Sequence, residues 1–94
     1  MNNPFQKPYP NQLRRFRRKA GFSQKELAKL IGHKTTAHIS RYEHGVKLPN
    51  LITALKICAA LGTLVDVAFG DLNLIISKEI TKRKQKYNLW ENLN

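Results

Sequence analysis

Gly21-Phe22-Ser23-Gln24-Lys25-Glu26-Leu27-Ala28-Lys29-Leu30-Ile31-Gly32, followed after three residues by Thr36-Ala37-His38-Ile39-Ser40-Arg41-Tyr42-Glu43-His44-Gly45, is the stretch on which the fold turns. Ser23 and Glu26 stand at capping-box spacing: the serine hydroxyl can accept the Glu26 amide while the glutamate reaches back to the Ser23 amide. A helix therefore opens at Gln24, turns Leu27, Ala28, Leu30 and Ile31 inward and ends at Gly32. His33-Lys34-Thr35 makes a short connection, and Thr35 can cap a second helix from Thr36 that Gly45 closes. At about 100° per residue Ile39 and Tyr42 share an inner face, whereas Ala37, Ser40, Arg41 and His44 gather on the other side. Two short helices across a tight turn, the second with an outward polar face, form a helix-turn-helix, the geometry that lays a helix in a DNA major groove.

The flanking sequence is helical as well. Leu13, Phe16 and Ala20 sit at i, i+3 and i+7 of a first amphipathic helix stopped by Gly21. Asn50 can cap a fourth, largely apolar helix carrying Leu51, Ala54, Leu55, Cys58, Ala59 and Leu61 up to Gly62, which is expected to be the core helix. Thr63-Leu64-Val65-Asp66 resembles a second capping box, opening a short fifth helix that buries Val65, Ala68 and Phe69 before Gly70 stops it. Leu72, Ile76 and Ile80 repeat every four residues, widened by Ile75, and predict a sixth helix to about Lys84. The expectation is an all-α fold: a flexible arm over 1–10, a five-helix DNA-binding domain over 11–70, and a C-terminal helix and tail over 71–94. Trp90 and Leu93 belong to that tail.

Composition limits the partners. The 94 residues are 41% hydrophobic and 24% charged, a globular balance of one domain's length. Seventeen Lys+Arg against six Asp+Glu leave +11, a self-repelling surplus that suits a polyanion. Eleven of those cations and only two acids fall in residues 1–50, so the first half meets the anion. The single Cys58 excludes an internal disulfide or a Cys-rich zinc module and suits a reducing cytoplasm; it reads as a buried small hydrophobe. Apolar runs stop far short of the ~18 residues a membrane span needs. His33, His38 and His44 lack a matched ligand set, so no metal is expected. No cofactor is expected, nor an enzyme, because no nucleophile, acid/base pair or phosphate loop stands out.

The run Leu13-Arg14-Arg15-Phe16-Arg17, Gly21 to Ala28, Ile31-Gly32, Ile39 to Gly45, Pro49, Leu55, Ala59 and Leu61-Gly62 strongly resembles the lambda-repressor-like helix-turn-helix family, also called Cro/C1-type or XRE, over about residues 11–70. Its connection holds one residue more than in the family's shorter members. The resemblance implies sequence-specific binding of double-stranded DNA, with the helix from Thr36 as recognition helix. It also implies a phosphate contact from Gln24 and a structural salt bridge between Arg17 and Glu43. Thr36, Ala37, Ser40, Arg41 and His44 are the candidate base contacts, Arg41 being the side chain that can bond guanine O6 and N7 bidentately. Ser23, Lys34, Thr35, His38, Lys47 and Asn50 join Gln24 as candidate phosphate contacts on the rim. Arg14, Arg15, Arg18 and Lys19 divide between phosphate contact and long-range steering.

Leu72, Ile75, Ile76 and Ile80 are candidates for pairing two copies of the chain. The expected function is a cytoplasmic transcriptional repressor acting as a homodimer. The alternative is the antitoxin of a toxin pair, whose tail holds a protein partner and whose DNA binding is autoregulatory.

Overall fold

The computed structural model describes residues 8–89, and the part of the arm before Pro8 and the tail residues Trp90 and Leu93 lie outside them. Six helices follow one another: α1 (Leu13–Ala20), α2 (Gln24–Leu30), α3 (Ala37–Glu43), α4 (Leu51–Leu61), α5 (Val65–Ala68) and α6 (Gly70–Lys86). Local chemistry sets most of their ends. Ser23 Oγ accepts the Glu26 amide and Glu26 Oε1 accepts the Ser23 amide, both at about 3 Å, so α2 starts on a complete capping box. These bonds hold the Glu26 carboxyl below its ordinary pKa, so their stabilisation is present at neutral pH and fades as pH falls through the lowered folded value. Asn50 caps α4 by accepting the Thr53 amide at 2.8 Å. Gly32, at φ 80°, lets the His33 amide turn back to the Ala28 carbonyl at 2.8 Å and ends α2.

Ser23→Ala is expected to cost about 1 kcal/mol of stability, because the Glu26 amide at the start of α2 loses its acceptor. Urea denaturation checks it; a change under a few tenths of a kcal/mol would mean the box is redundant.

Three expectations change at the ends of helices. Helix α3 begins at Ala37 and not at Thr36, which is its N-cap; Thr35 Oγ1 reaches the Ala37 amide only at 3.4 Å. The cap of α5 is Leu64 and not Thr63, which puts Asp66 at the second helical position, one short of where a box needs its acid. Gly70 does not stop α5 but opens α6, since Phe69 alone makes the joint at φ −112°, ψ 39°. Phe69 is buried, and its ring holds that joint against the core.

Helices α1 to α5 surround a core of Leu13, Leu27, Ala28, Ile31, Ile39, Tyr42, Ile57, Cys58, Leu61, Ala68 and Phe69, with Phe16, Phe22, Val65 and Leu72 packed on its edge. The N-terminal side is pinned to it from two directions: the Gln12 amide donates to the Ala68 carbonyl, and Asn11 Nδ2 donates to the Tyr42 carbonyl at 2.7 Å. Leu30, read as inward, is exposed, and so are Ala20 of the α1 spacing and Leu51, Leu55 and Ala59 of the largely apolar α4. In α2 the buried arc runs through Leu27, Ala28 and Ile31, leaving Leu30 beyond its edge. Burial pushes the Cys58 thiol above its ordinary pKa, so it stays a protonated apolar group.

Candidate nucleic-acid interface

Helix α3 is clipped to the body by its last residue. Arg17 Nε lies 2.5 Å and Nη2 3.1 Å from the two carboxylate oxygens of Glu43, while Arg17 Nη1 donates to the Phe22 carbonyl at 2.8 Å. Both side chains are buried, 9% and 2% exposed. Gln24 Nε2 adds a third bond to Glu43 Oε1 at 3.0 Å. One carboxylate therefore ties together α1, the first residue of α2 and the end of α3, which fixes the crossing of the two helices of the turn. The Gln24–Glu43 bond escaped sequence reading, because nothing in the spacing of residues 24 and 43 announces that a surface amide turns inward.

With Ile39 and Tyr42 buried beneath it, α3 turns Ala37, Arg41 and His44 to solvent, with Thr36 and Ser40 half-buried. The helix contributes to two polar basins. One, of about 460 Å³, brings Lys34, Thr35, His38, Lys47 and Asn50 together with His33. The other, of about 420 Å³, sets His44 against Arg14, Arg15 and Arg18 of α1 and against Asn11 and Gln12. Ser23 and Gln24 line neither basin and stand at the start of α2. Asn11 carried no functional reading in the sequence; as an Asx residue just before a helix, whose Oδ1 accepts the Leu13 amide at 3.0 Å, it was recognisable by position.

Hydrogen bonding within the chain leaves these side chains as donors. Ser23 and Asn50 spend acceptor oxygens on helix caps, which frees the serine hydroxyl proton and the asparagine amide for a phosphate oxygen. Gln24 keeps its second Nε2 hydrogen. Lys47 Nζ lies 3.0 Å from His38 Nδ1; an ammonium can only donate, so the ring nitrogen accepts and Nε2 carries the proton. The Lys47 charge, then partial desolvation and the charges of Arg41 and His33, hold His38 below the usual imidazole pKa, so it offers a neutral N–H. His44 has the opposite tautomer: its Nδ1 lies 2.7 Å from the Ser40 carbonyl, which can only accept, so in the neutral ring Nε2 is a bare acceptor. Such an atom matches the exocyclic amino group of adenine or cytosine.

A polar outward helix between two cationic basins, held by a buried carboxylate clip, is an arrangement for a groove with phosphates on both walls. A helix-turn-helix family model matches residues 13–67, more than half of the chain. The chain belongs to the Cro/C1-type helix-turn-helix family. Membership of this family makes it a DNA-binding regulator, and the all-helical lambda-repressor-like fold is the one described above. No curated protein matches the chain. Among the described residues no helix is long and apolar enough to cross a membrane, and no group of His, Cys, Asp and Glu is placed to hold a metal ion.

Proposed function

We propose that this family member is a cytoplasmic transcriptional repressor that binds an inverted-repeat operator as a homodimer, with residues 11–70 reading DNA and residues 71–94 pairing the copies. The observation that carries the reading is the placement of α3, its polar face outward beside Lys34, His38 and Lys47 on one side and Arg14, Arg15 and Arg18 on the other. Arg41 reads guanine, Thr36 and Ala37 lie nearest the groove floor, and Ser40 and His44 meet base edges farther along. Ser23, Gln24, Lys34, Thr35, His38, Lys47 and Asn50 hold phosphates. Two half-sites then lie about one helical turn apart, ~10 bp.

Selection from random duplex DNA is expected to return one inverted-repeat sequence. Arg41→Ala is expected to weaken binding to it roughly 5- to 150-fold, the ~1–3 kcal/mol of one bidentate base contact, and to erase the preference at one position per half-site. The salt slope, about −0.9 per phosphate contacted, stays the same. Wild-type binding with no sequence preference would sink the proposal.

The antitoxin reading is kept alive by one observation, that α6 buries none of its residues. A second polypeptide encoded beside the chain, bound tightly and released on deleting residues 71–94, would favour it.

A further inference from the structure

The outward face of α3 ends in a side chain whose hydrogen bonding is already decided within the protein. His44 Nδ1 stands 2.7 Å from the Ser40 carbonyl, an oxygen that can only accept, so the neutral ring keeps its proton on Nδ1 and leaves Nε2 as a bare lone pair. The ring is exposed, and among the described residues no hydrogen bond occupies that second nitrogen. Its neighbours on the face differ. Arg41 can only donate, Ala37 has nothing to offer, and the hydroxyls of Thr36 and Ser40 can turn either way. Of these five residues, His44 is the one whose outward group, when uncharged, can do nothing but accept.

A duplex offers few partners for such an atom. Phosphate oxygens accept, as do guanine O6 and N7, adenine N7 and thymine O4; the donors in the major groove are adenine N6 and cytosine N4. Phosphates suit instead Arg14, Arg15 and Arg18, which line the basin on the α1 side of His44. Glu43, the acid of that basin, is already taken by Arg17 and Gln24, so the three arginines keep their charge for an outside anion. His44 follows Arg41 by three residues, about 4.5 Å along a helix, against about 3.4 Å between successive base pairs. We propose that His44 is a specificity-determining residue that accepts a hydrogen bond from the amino group of an adenine or a cytosine, one step from the Arg41 guanine, and so disfavours guanine and thymine there. This rests on the reading of α3 as the groove helix and deepens it. Arg41 demands a base with two acceptors, His44 demands an amino group, and the Ser40 carbonyl sets the second demand by holding the ring in one tautomer.

Once selection has located the Arg41 guanine, duplexes that differ only in the base at the neighbouring step test this on the full chain. At about pH 8, where an imidazole is ordinarily neutral, the adenine and cytosine duplexes are expected to bind roughly tenfold more tightly than the guanine and thymine ones, the order of a hydrogen bond replaced by two facing acceptors. His44→Ala is expected to level the four. His44→Lys puts a donor in place of an acceptor and is expected to invert the order. At about pH 5.5, where an imidazole ordinarily gains its second proton, Nε2 turns donor and the wild-type preference is expected to vanish or reverse. The charges facing the ring, Arg14, Arg15 and Arg18 from α1 and Glu43 from α3, act on all these duplexes alike, as does protonation of His33 and His38, so the ratio of affinities isolates His44. Nitrogen NMR spectra of the free protein check the tautomer, with His44 expected to carry its proton on Nδ1. A proton found on Nε2 instead, an amino preference that His44→Ala leaves intact, or one that His44→Lys does not invert overturns the proposal. The two readings fail separately: binding with no preference at any position removes the groove helix itself, whereas a guanine fixed by Arg41 beside a step indifferent to base removes the role of His44 alone.

Discussion

Glu43→Ala is expected to lower the stability of the protein by roughly 3–5 kcal/mol, the loss that follows when one partner of a buried ion pair is removed. Arg17 would keep its charge, 9% exposed, with only the Phe22 carbonyl to satisfy it, and Gln24 would lose its inward partner. A domain of this length shifts its Tm by about 4–8 °C per kcal/mol, so thermal unfolding should fall by more than ~10 °C. Charge without a partner, and not the absence of an attraction, is the cause. Replacing both residues together, Arg17→Met with Glu43→Leu, should therefore recover most of the loss. A single substitution that costs under 1 kcal/mol, or a double one that is worse, would show that the clip is not the joint described. DNA affinity should follow stability in the single variant and stay reduced in the double one, since the bonds that hold α3 against α1 and α2 are gone even where the fold survives.

Much of the architecture is legible in the sequence because its signals are local. The Ser23–Glu26 box, the Asn50 cap and the glycine after α2 each act within a few residues, and each puts a helix end where the spacing predicts. The Thr63–Asp66 pattern shows the limit of such signals. Residue types at the right spacing do not make a box unless the first of them is the cap, and the buried Phe69 and the Gln12 amide on the Ala68 carbonyl hold the joint at which α5 stops. The polar face of α3 was readable from periodicity. Its hydrogen-bonding state was not: the opposite tautomers of His38 and His44 depend on Lys47 and on the Ser40 carbonyl, one from a following loop and the other from the helix backbone. The inward turn of Gln24 and the α1 basin beside His44 are likewise long-range facts, products of the α1–α3 crossing.

The phase of α4 shows most plainly why periodicity alone falls short, and it gives the second large effect. Leu51, Ile52, Leu55, Ile57, Cys58 and Leu61 make this helix apolar nearly all round, so any side of it could face inward by composition alone. Packing selects Ala54, Ile57, Cys58 and Leu61, an arc that seats against α1, α2 and the core beneath α3. Ile57, 1% exposed, is fully enclosed, whereas Leu55 is 52% exposed. Ile57→Ala is therefore expected to cost about 2–5 kcal/mol, from lost transfer energy plus a cavity that close-packed neighbours fill only in part. Leu55→Ala, the same kind of truncation two residues away, should change stability by roughly 0.5 kcal/mol or less. Urea denaturation of the two variants measures the contrast, with equal m-values confirming that both unfold from the same native state. Comparable losses at both positions would place α4 in a different rotation. The apolar side of α4 that carries Leu51 and Leu55, exposed in this structure, would then belong to the core.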